Sequence, residues 1–309
     1  MENRDELLVK VATLYYEEGV TQTALAKTLH LSRPTIAALL KEAKDKGIVR
    51  ITIQHSGYGV FQLQEKIRKR YGLKHVLIAR HDASSKVSSK TLVGQLCAQL
   101  IEELLPQINT LGIGWGTTVY EYVDQASFLH ADHLKIIPLL GGVGLSDVKY
   151  HANHLAFTLA QKYSCDVSYF YAPAIAESKE MKDAFLQSVL IRQTLREGKA
   201  TDLAVLGIGN PIQSSTYRSF GYIAPDDLQD LIDHEAIGDI GSTFFNKSGK
   251  AIRTDISERM IGISLQDLHR HPSVMVLATG KEKAESIKAL LKEQVIDHLI
   301  IDQSIADLL

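Results

Sequence analysis

Three glycine-rich stretches carry the residues most able to do chemistry: Gly112-Ile-Gly114-Trp-Gly116-Thr117-Thr118, Gly141-Gly142-Val-Gly144 and Gly207-Ile-Gly209-Asn-Pro. Each ends an apolar run that reads as a strand and leads toward a helix. Glycine lets backbone N–H groups approach an anion closely, and the start of the next helix adds a favourable dipole. Thr117 and Thr118 supply hydroxyl donors at one such start, and Lys281, just after Gly280, supplies a full positive charge. The chemistry this suits is the holding of a small phosphorylated or polyhydroxy molecule. GIGWG lacks the third glycine of a dinucleotide fingerprint, and no Walker lysine–serine pair occurs.

Catalysis asks for more. An isomerase or deaminase acting on such a molecule needs a general base beside the reacting carbons and an acid for ring opening. Asp239, His151 and His154 are the candidates, and no dense carboxylate cluster accompanies them. The chain is therefore expected to bind its ligand and not to be an enzyme. His151 and Asn153 follow the second glycine loop and are candidate sugar contacts. The pairs His130/His133, His151/His154 and His269/His271 lack a third partner at a diagnostic distance, so neither a metal nor a cofactor is assigned.

A second kind of chemistry sits at residues 21–40, TQTALAKTLHLSRPTIAALL. Leu25, Leu29 and Leu31 fit a short helix and a tight turn, and Ile36 and Leu39 line the inner face of a second helix. Thr21 and Ser32 are expected N-caps, and Pro34 takes an early position that needs no N–H. His30 replaces the usual turn glycine and tolerates a left-handed backbone better than most residues. This spacing predicts a helix-turn-helix, the alternative being an ordinary helical hairpin. Such a second helix enters the major groove with its N-terminal residues on base edges. Thr21, Gln22, Ser32, Arg33, Thr35, Lys41, Lys44 and Arg50 are the expected DNA contacts, with Lys46 also along the phosphates. Residues 1–56 hold eight Lys/Arg against seven Asp/Glu, so one head should bind weakly and need partners on repeated half-sites.

The elements that must position these residues follow from the rest of the pattern. A chain of 309 residues accommodates two domains, and a net charge of −2 makes any DNA contact local. Two cysteines offer no disulfide framework, no signal pattern opens the chain, and no apolar run reaches the roughly 18 residues of a membrane helix. A cytoplasmic protein is expected. A helix over 5–18 covers the motif, and IVRITIQ (48–54) reads as a strand that makes the head winged. His55-Ser56-Gly57 marks the boundary between a head of 1–56 and a second domain of 57–309.

Beyond a helix at 61–73, apolar runs at 75–80, 110–115, 134–140, 166–172, 203–209, 273–279 and 298–303 read as strands. They alternate with helices at 86–105, 116–125, 151–163, 179–198, 225–235 and 281–293. The fold class expected is α/β: a parallel sheet covered on both faces, Rossmann-like, with the ligand outside the carboxyl ends of its strands.

Several segments together resemble the SorC/DeoR-type sugar-responsive transcriptional regulators: LSRPTIAALLKEAKDKGIVRI, GIGWGTTVY, IIPLLGGVG, YAPA, LGIGNP, GDIGSTFFNKSG, RMIGISLQDL, ATGKEKAESIKALL and LIIDQSIADLL. The resemblance spans essentially the whole chain. It implies a large domain similar to phosphosugar isomerases and deaminases, joined to a DNA-binding head in a tetramer. It implies that a sugar or sugar phosphate alters binding to double-stranded operator DNA, as a repressor of a carbohydrate-utilisation operon. By the same resemblance Gly116, Thr117 and Thr118 match a phosphate-contacting turn, Asp239 an acidic residue that holds a sugar hydroxyl, and Lys281 a basic residue near the effector. Asp239 also reads as the N-cap of a helix running through Phe244 and Phe245. The chain departs from the family at Leu140, Leu145 and Asn246. Without a cation at 145, an unphosphorylated sugar or polyol stays open as effector.

Overall fold

The computed structural model of the chain describes residues 4–49, 58–80, 87–142, 147–214 and 216–309. Residues Met1–Tyr58 and Gly59–Leu309 form two compact units.

The first unit holds α1 (Arg4–Tyr16), α2 (Gln22–Thr28) and α3 (Arg33–Asp45). Leu8, Val11, Leu25, Ile36, Leu39 and Leu40 make its core, so the apolar spacing read from the sequence is the buried face. The Thr21 side chain accepts from the Ala24 N–H and that of Ser32 from the Thr35 N–H, which fixes where α2 and α3 begin. His30 takes the left-handed turn at φ 54°. Residues 48–49 are not in a strand, and the rest of the expected wing, with Arg50, lies outside the described residues.

The second unit is built on β1 (His75–Ala79), β2 (Thr110–Ile113), β3 (Lys135–Pro138), β4 (Asp166–Val167), β5 (Leu203–Gly209), β6 (Gly238–Ile240), β7 (Thr243–Phe245), β8 (Val274–Ala278) and β9 (His298–Asp302). The order β1-β9-β8-β5-β2-β3-β4 is parallel throughout, and the β6–β7 hairpin pairs antiparallel onto the end of β5. Along β5, Leu203 and Val205 enter one core while Ala204, Leu206 and Ile208 enter the other, so both faces are covered. The covering helices include α4 (Tyr58–Tyr71), α5 (Ser89–Leu104), α6 (Thr117–Gln125) and α7 (Ala152–Tyr163). Further along come α8 (Lys179–Gln187), α9 (Val189–Lys199), α10 (Thr216–Ser219), α11 (Pro225–Asp233), α12 (Asp255–Arg259), α13 (Leu265–Leu268), α14 (Ala284–Lys292) and α15 (Gln303–Ala306).

Two expectations are corrected. The helix expected to start at Asp239 is instead the β6–β7 hairpin, in which Asp239 pairs with Gly209 on one side and Phe244 on the other. The single helix expected over 179–198 breaks at Ser188, which is extended (φ −61°, ψ 130°). From β2 the chain steps outward to β3 and β4, then returns to β5 on the other flank of β2. The β2/β5 junction is therefore the place where connections diverge, and such a point opens a ligand crevice. Among the described residues no helix is long and apolar enough to cross a membrane.

Candidate effector site and DNA-reading helix

On α3, burial of Ile36, Leu39, Leu40 and Ala43 leaves Ser32, Arg33, Thr35, Ala37, Ala38, Lys41 and Lys44 exposed. The Ser32 and Thr35 hydroxyls lie 2.7 Å apart, and Ser32 also caps the helix, so both are held by the cap. Arg33 makes no hydrogen bond or ion pair among the described residues and lines a concavity with Thr21 and Gln22. Those three are placed together at the entrance to the reading face. Lys44 lies over the Tyr16 ring at 5.5 Å. Lys46 is tied to Asp5 at 2.7 Å and to Glu42 at 3.4 Å, which neutralises much of the charge expected to face phosphates.

In the second unit, β2 runs into Trp115 and Gly116, and α6 begins at Thr117. Gly116 has φ 115°, a backbone suited to glycine, and no side chain caps the helix. Across the junction, β5 brings Gly207 and Gly209, and β6 brings Asp239. Trp115, Gly116, Thr117, Thr118, Gly207, Gly209, Thr216, Asp239 and Lys283 all line one inner cavity of about 40 Å³. Thr117, Thr216 and Lys283 also line an adjoining outer chamber of about 510 Å³, which adds Lys90, Arg218 and Thr279. The inner space suits little more than a water or one functional group, while the chamber falls within the roughly 300–1,000 Å³ of small-molecule sites.

The polar groups at this junction differ in character. Asp239 is buried, and its carboxyl carbon would lie 2.7 Å from a Cβ at position 209. Only glycine at 209 lets the carboxylate stand there. Burial and, next, Asp239 push the Tyr217 hydroxyl well above the ordinary tyrosine range. Lys283 is 9% exposed, and its ammonium makes no hydrogen bond or ion pair among the described residues. Burial, then the neighbouring Lys90, pull the Lys283 ammonium below the usual lysine range, against the opposing pull of Glu282, Asp239 and Asp302. Lys90 donates to Thr117 Oγ1 at 3.0 Å. The arrangement offers an acceptor for hydroxyls together with cations beside an uncapped helix start.

Several residues expected here lie elsewhere. A 3-10 turn over Lys281–Lys283 leaves Lys281 exposed and turns Lys283 inward, so the buried cation is Lys283. Gly141 is at a backbone crossing where a Cβ would come 2.5 Å from the Ala172 carbonyl, and Gly142 bridges Pro173. The residue before them, Leu140, forms the wall. Gly114 does not line the cavity, since a Cβ there would meet Leu206 Cδ2 at 2.8 Å. Gly144 lies outside the described residues. Asn153 clamps the Phe170 backbone with bonds of 2.9 and 2.8 Å. His151 is buried at the start of α7, and His154 is exposed. Neither lines the cavity, so they do not join Asp239 as a catalytic pair. Among the described residues no group of three or more His, Cys, Asp or Glu could hold a metal. Trp115, Thr216, Lys90 and Lys283 were not singled out from the sequence. A lysine one helical step inward of Lys281 was the available signal.

A family model for a sugar-binding domain matches residues 57–309, and one for a winged helix-turn-helix DNA-binding domain matches 11–50. The chain is 28% identical to the sorbitol operon regulator of Klebsiella pneumoniae over 313 residues, covering 100% of this chain and 99% of that one. The solved full-length structure of that organism's sorbitol operon regulator, SorC, superposes with a TM-score of 0.75 at 27% identity, covering 100% and 99% of the two chains. A DeoR family transcriptional regulator from Listeria monocytogenes is 31% identical with a TM-score of 0.75, over 80% of this chain and 98% of that one. These relatives are named as transcriptional regulators, not as enzymes.

Proposed function

The chain belongs to the SorC/DeoR-type family of sugar-binding transcriptional regulators, and from that premise we propose that it represses a carbohydrate-utilisation operon until a sugar or sugar phosphate enters the β2/β5 crevice. In this reading α3 reads double-stranded operator DNA through Arg33, with Lys41 and Lys44 along the backbone. The protein acts in the cytoplasm as a homotetramer. The near-neutral head supports this, because neutralising few phosphates gives weak binding that several linked heads overcome. Effector binding shifts how subunits pack, and half-sites read together must lie about 34–36 Å apart or a multiple of it, so a small rotation spoils the match.

One observation carries the effector half: a buried carboxylate and a buried lysine whose ammonium has no partner among the described residues line one cavity with an uncapped helix start. Asp239 accepts from hydroxyls of the ligand, while Lys283 and the Thr117–Thr118 turn take its electron-rich end. Asp239→Asn keeps the shape and removes the charge. With the cognate sugar found by screening sugars and sugar phosphates for thermal stabilisation, this variant should bind it roughly 10–100-fold more weakly and still bind operator. Undiminished stabilisation of Asp239→Asn would move the effector elsewhere.

A further inference from the structure

We propose that Lys90 determines the crevice's preference for a phosphorylated over a neutral ligand, by leaving Thr117 for a dianionic group seated at the start of α6. This rests on the crevice being the effector site. The nine-residue α6 begins without a side-chain cap, so its first N–H groups lack a side-chain acceptor, and its first residue, Thr117, lines the chamber. Lys283, nine-tenths buried, lines both spaces, and its ammonium has no hydrogen bond or ion pair among the described residues. Lys90 reaches the same point from α5 and donates to the Thr117 hydroxyl at 3.0 Å.

Burial first, and then the neighbouring Lys90, hold the Lys283 ammonium below its ordinary range, and the carboxylates of Glu282, Asp239 and Asp302 only partly offset this. A neutral hydroxyl gives two adjacent cations little. A phosphate dianion satisfies both and the helix start at once. Thr117 Oγ1 only accepts from Lys90, so its own proton is available to donate to the same group. The rest of the seam is fixed: Thr91 Oγ1 donates to Glu121 at 3.0 Å, and Gly94 packs on the Glu121 backbone so closely that a Cβ would lie 2.6 Å away. The Lys90 ammonium, by contrast, is held there by a contact to a neutral hydroxyl.

Inorganic phosphate is the probe, titrated calorimetrically into the full-length protein at pH 7.5 and 5.5. Phosphate is mainly dianionic at the first pH and monoanionic at the second, since its second pKa is about 6 in esters and somewhat higher in the free ion. Wild type should bind more tightly at pH 7.5. Lys90→Met should lose roughly tenfold at pH 7.5 and most of the pH dependence, Lys90→Arg should keep both, and the surface control Lys292→Met should match wild type. If Lys283→Met loses binding while Lys90→Met keeps wild-type affinity and pH profile, Lys90 has no such role and the crevice reading survives. Absence of any phosphate binding to wild type would overturn the role of Lys90 and leave the crevice to a neutral sugar, whose own test is the Asp239→Asn variant.

Discussion

Gly209→Ala tests the geometry of the crevice with the addition of one methyl group. The new Cβ would stand 2.7 Å from the Asp239 carboxyl carbon, with the carboxylate oxygens as near or nearer. Carbon atoms settle at about 3.5–4.0 Å, so the carboxylate must retreat by about 1 Å. That is enough to break a hydrogen bond to a ligand hydroxyl, because such bonds weaken steeply beyond about 3 Å. A bond to a charged group contributes about 1.5–3 kcal/mol, so effector affinity should fall roughly 10–150-fold. Overpacking should lower stability by about 1–3 kcal/mol, a loss a domain of this size withstands. The assay is operator binding of the purified variant, titrated with the cognate effector beside wild type, together with a melting curve. Operator affinity without effector should be unchanged, and the effector midpoint should move up by the stated factor. A folded Gly209→Ala protein answering effector at wild-type concentrations would refute the placing of Asp239 in the ligand site.

Two further perturbations address other parts of the molecule. Arg33→Ala should weaken operator binding by about 1–3 kcal/mol without changing the effector-induced melting shift; equal affinity in an anisotropy titration would remove Arg33 from the reading surface. His298, buried with its Nδ1 2.9 Å from that of His75 and its Nε2 2.9 Å from the Ser273 hydroxyl, is pushed down to about 4 by burial and then by His75 and Lys74. The unfolded chain, with an ordinary histidine near 6.5, therefore takes up the proton first as pH falls. The stabilisation is complete above 6.5 and disappears toward 4; at about 1.4 kcal/mol per tenfold change in proton affinity, it amounts to about 3 kcal/mol. Urea unfolding at pH 7 and 4.5 should show this loss in wild type and less of it in His298→Asn, and equal slopes in the two proteins would count against it.

What the sequence made legible, it did through local signals. The head could be read because caps, turn and apolar spacing all lie within twenty consecutive residues, and no distant contact is needed to interpret Ser32 or Ile36. The parallel strands could be read because both their faces are buried, giving unbroken runs such as LAVLGIG. The β6–β7 hairpin was lost for the same reason in miniature: three-residue strands with every residue buried show no alternation, and Phe244-Phe245 fits a helix equally well. The break at Ser188 has no glycine or proline to announce it. Adjacency to Gly280 points to Lys281, whereas the 3-10 turn that opens this stretch turns Lys283 inward, a geometry set by packing. Gly141 is required by the Ala172–Pro173 backbone crossing it, a contact thirty residues away in sequence that spacing alone does not reveal. Lys90 joins the site from a helix with no motif of its own.

The central claim is that one chain couples operator recognition to a small molecule held at the β2/β5 junction. Its most direct test is the fluorescence anisotropy of the full-length protein on DNA from upstream of its own operon, at fixed salt, across a panel of sugars and sugar phosphates. The account predicts tight, sequence-selective binding that one compound weakens, with the response blunted in Asp239→Asn. Binding without sequence preference, or selective binding that no compound alters, would contradict it.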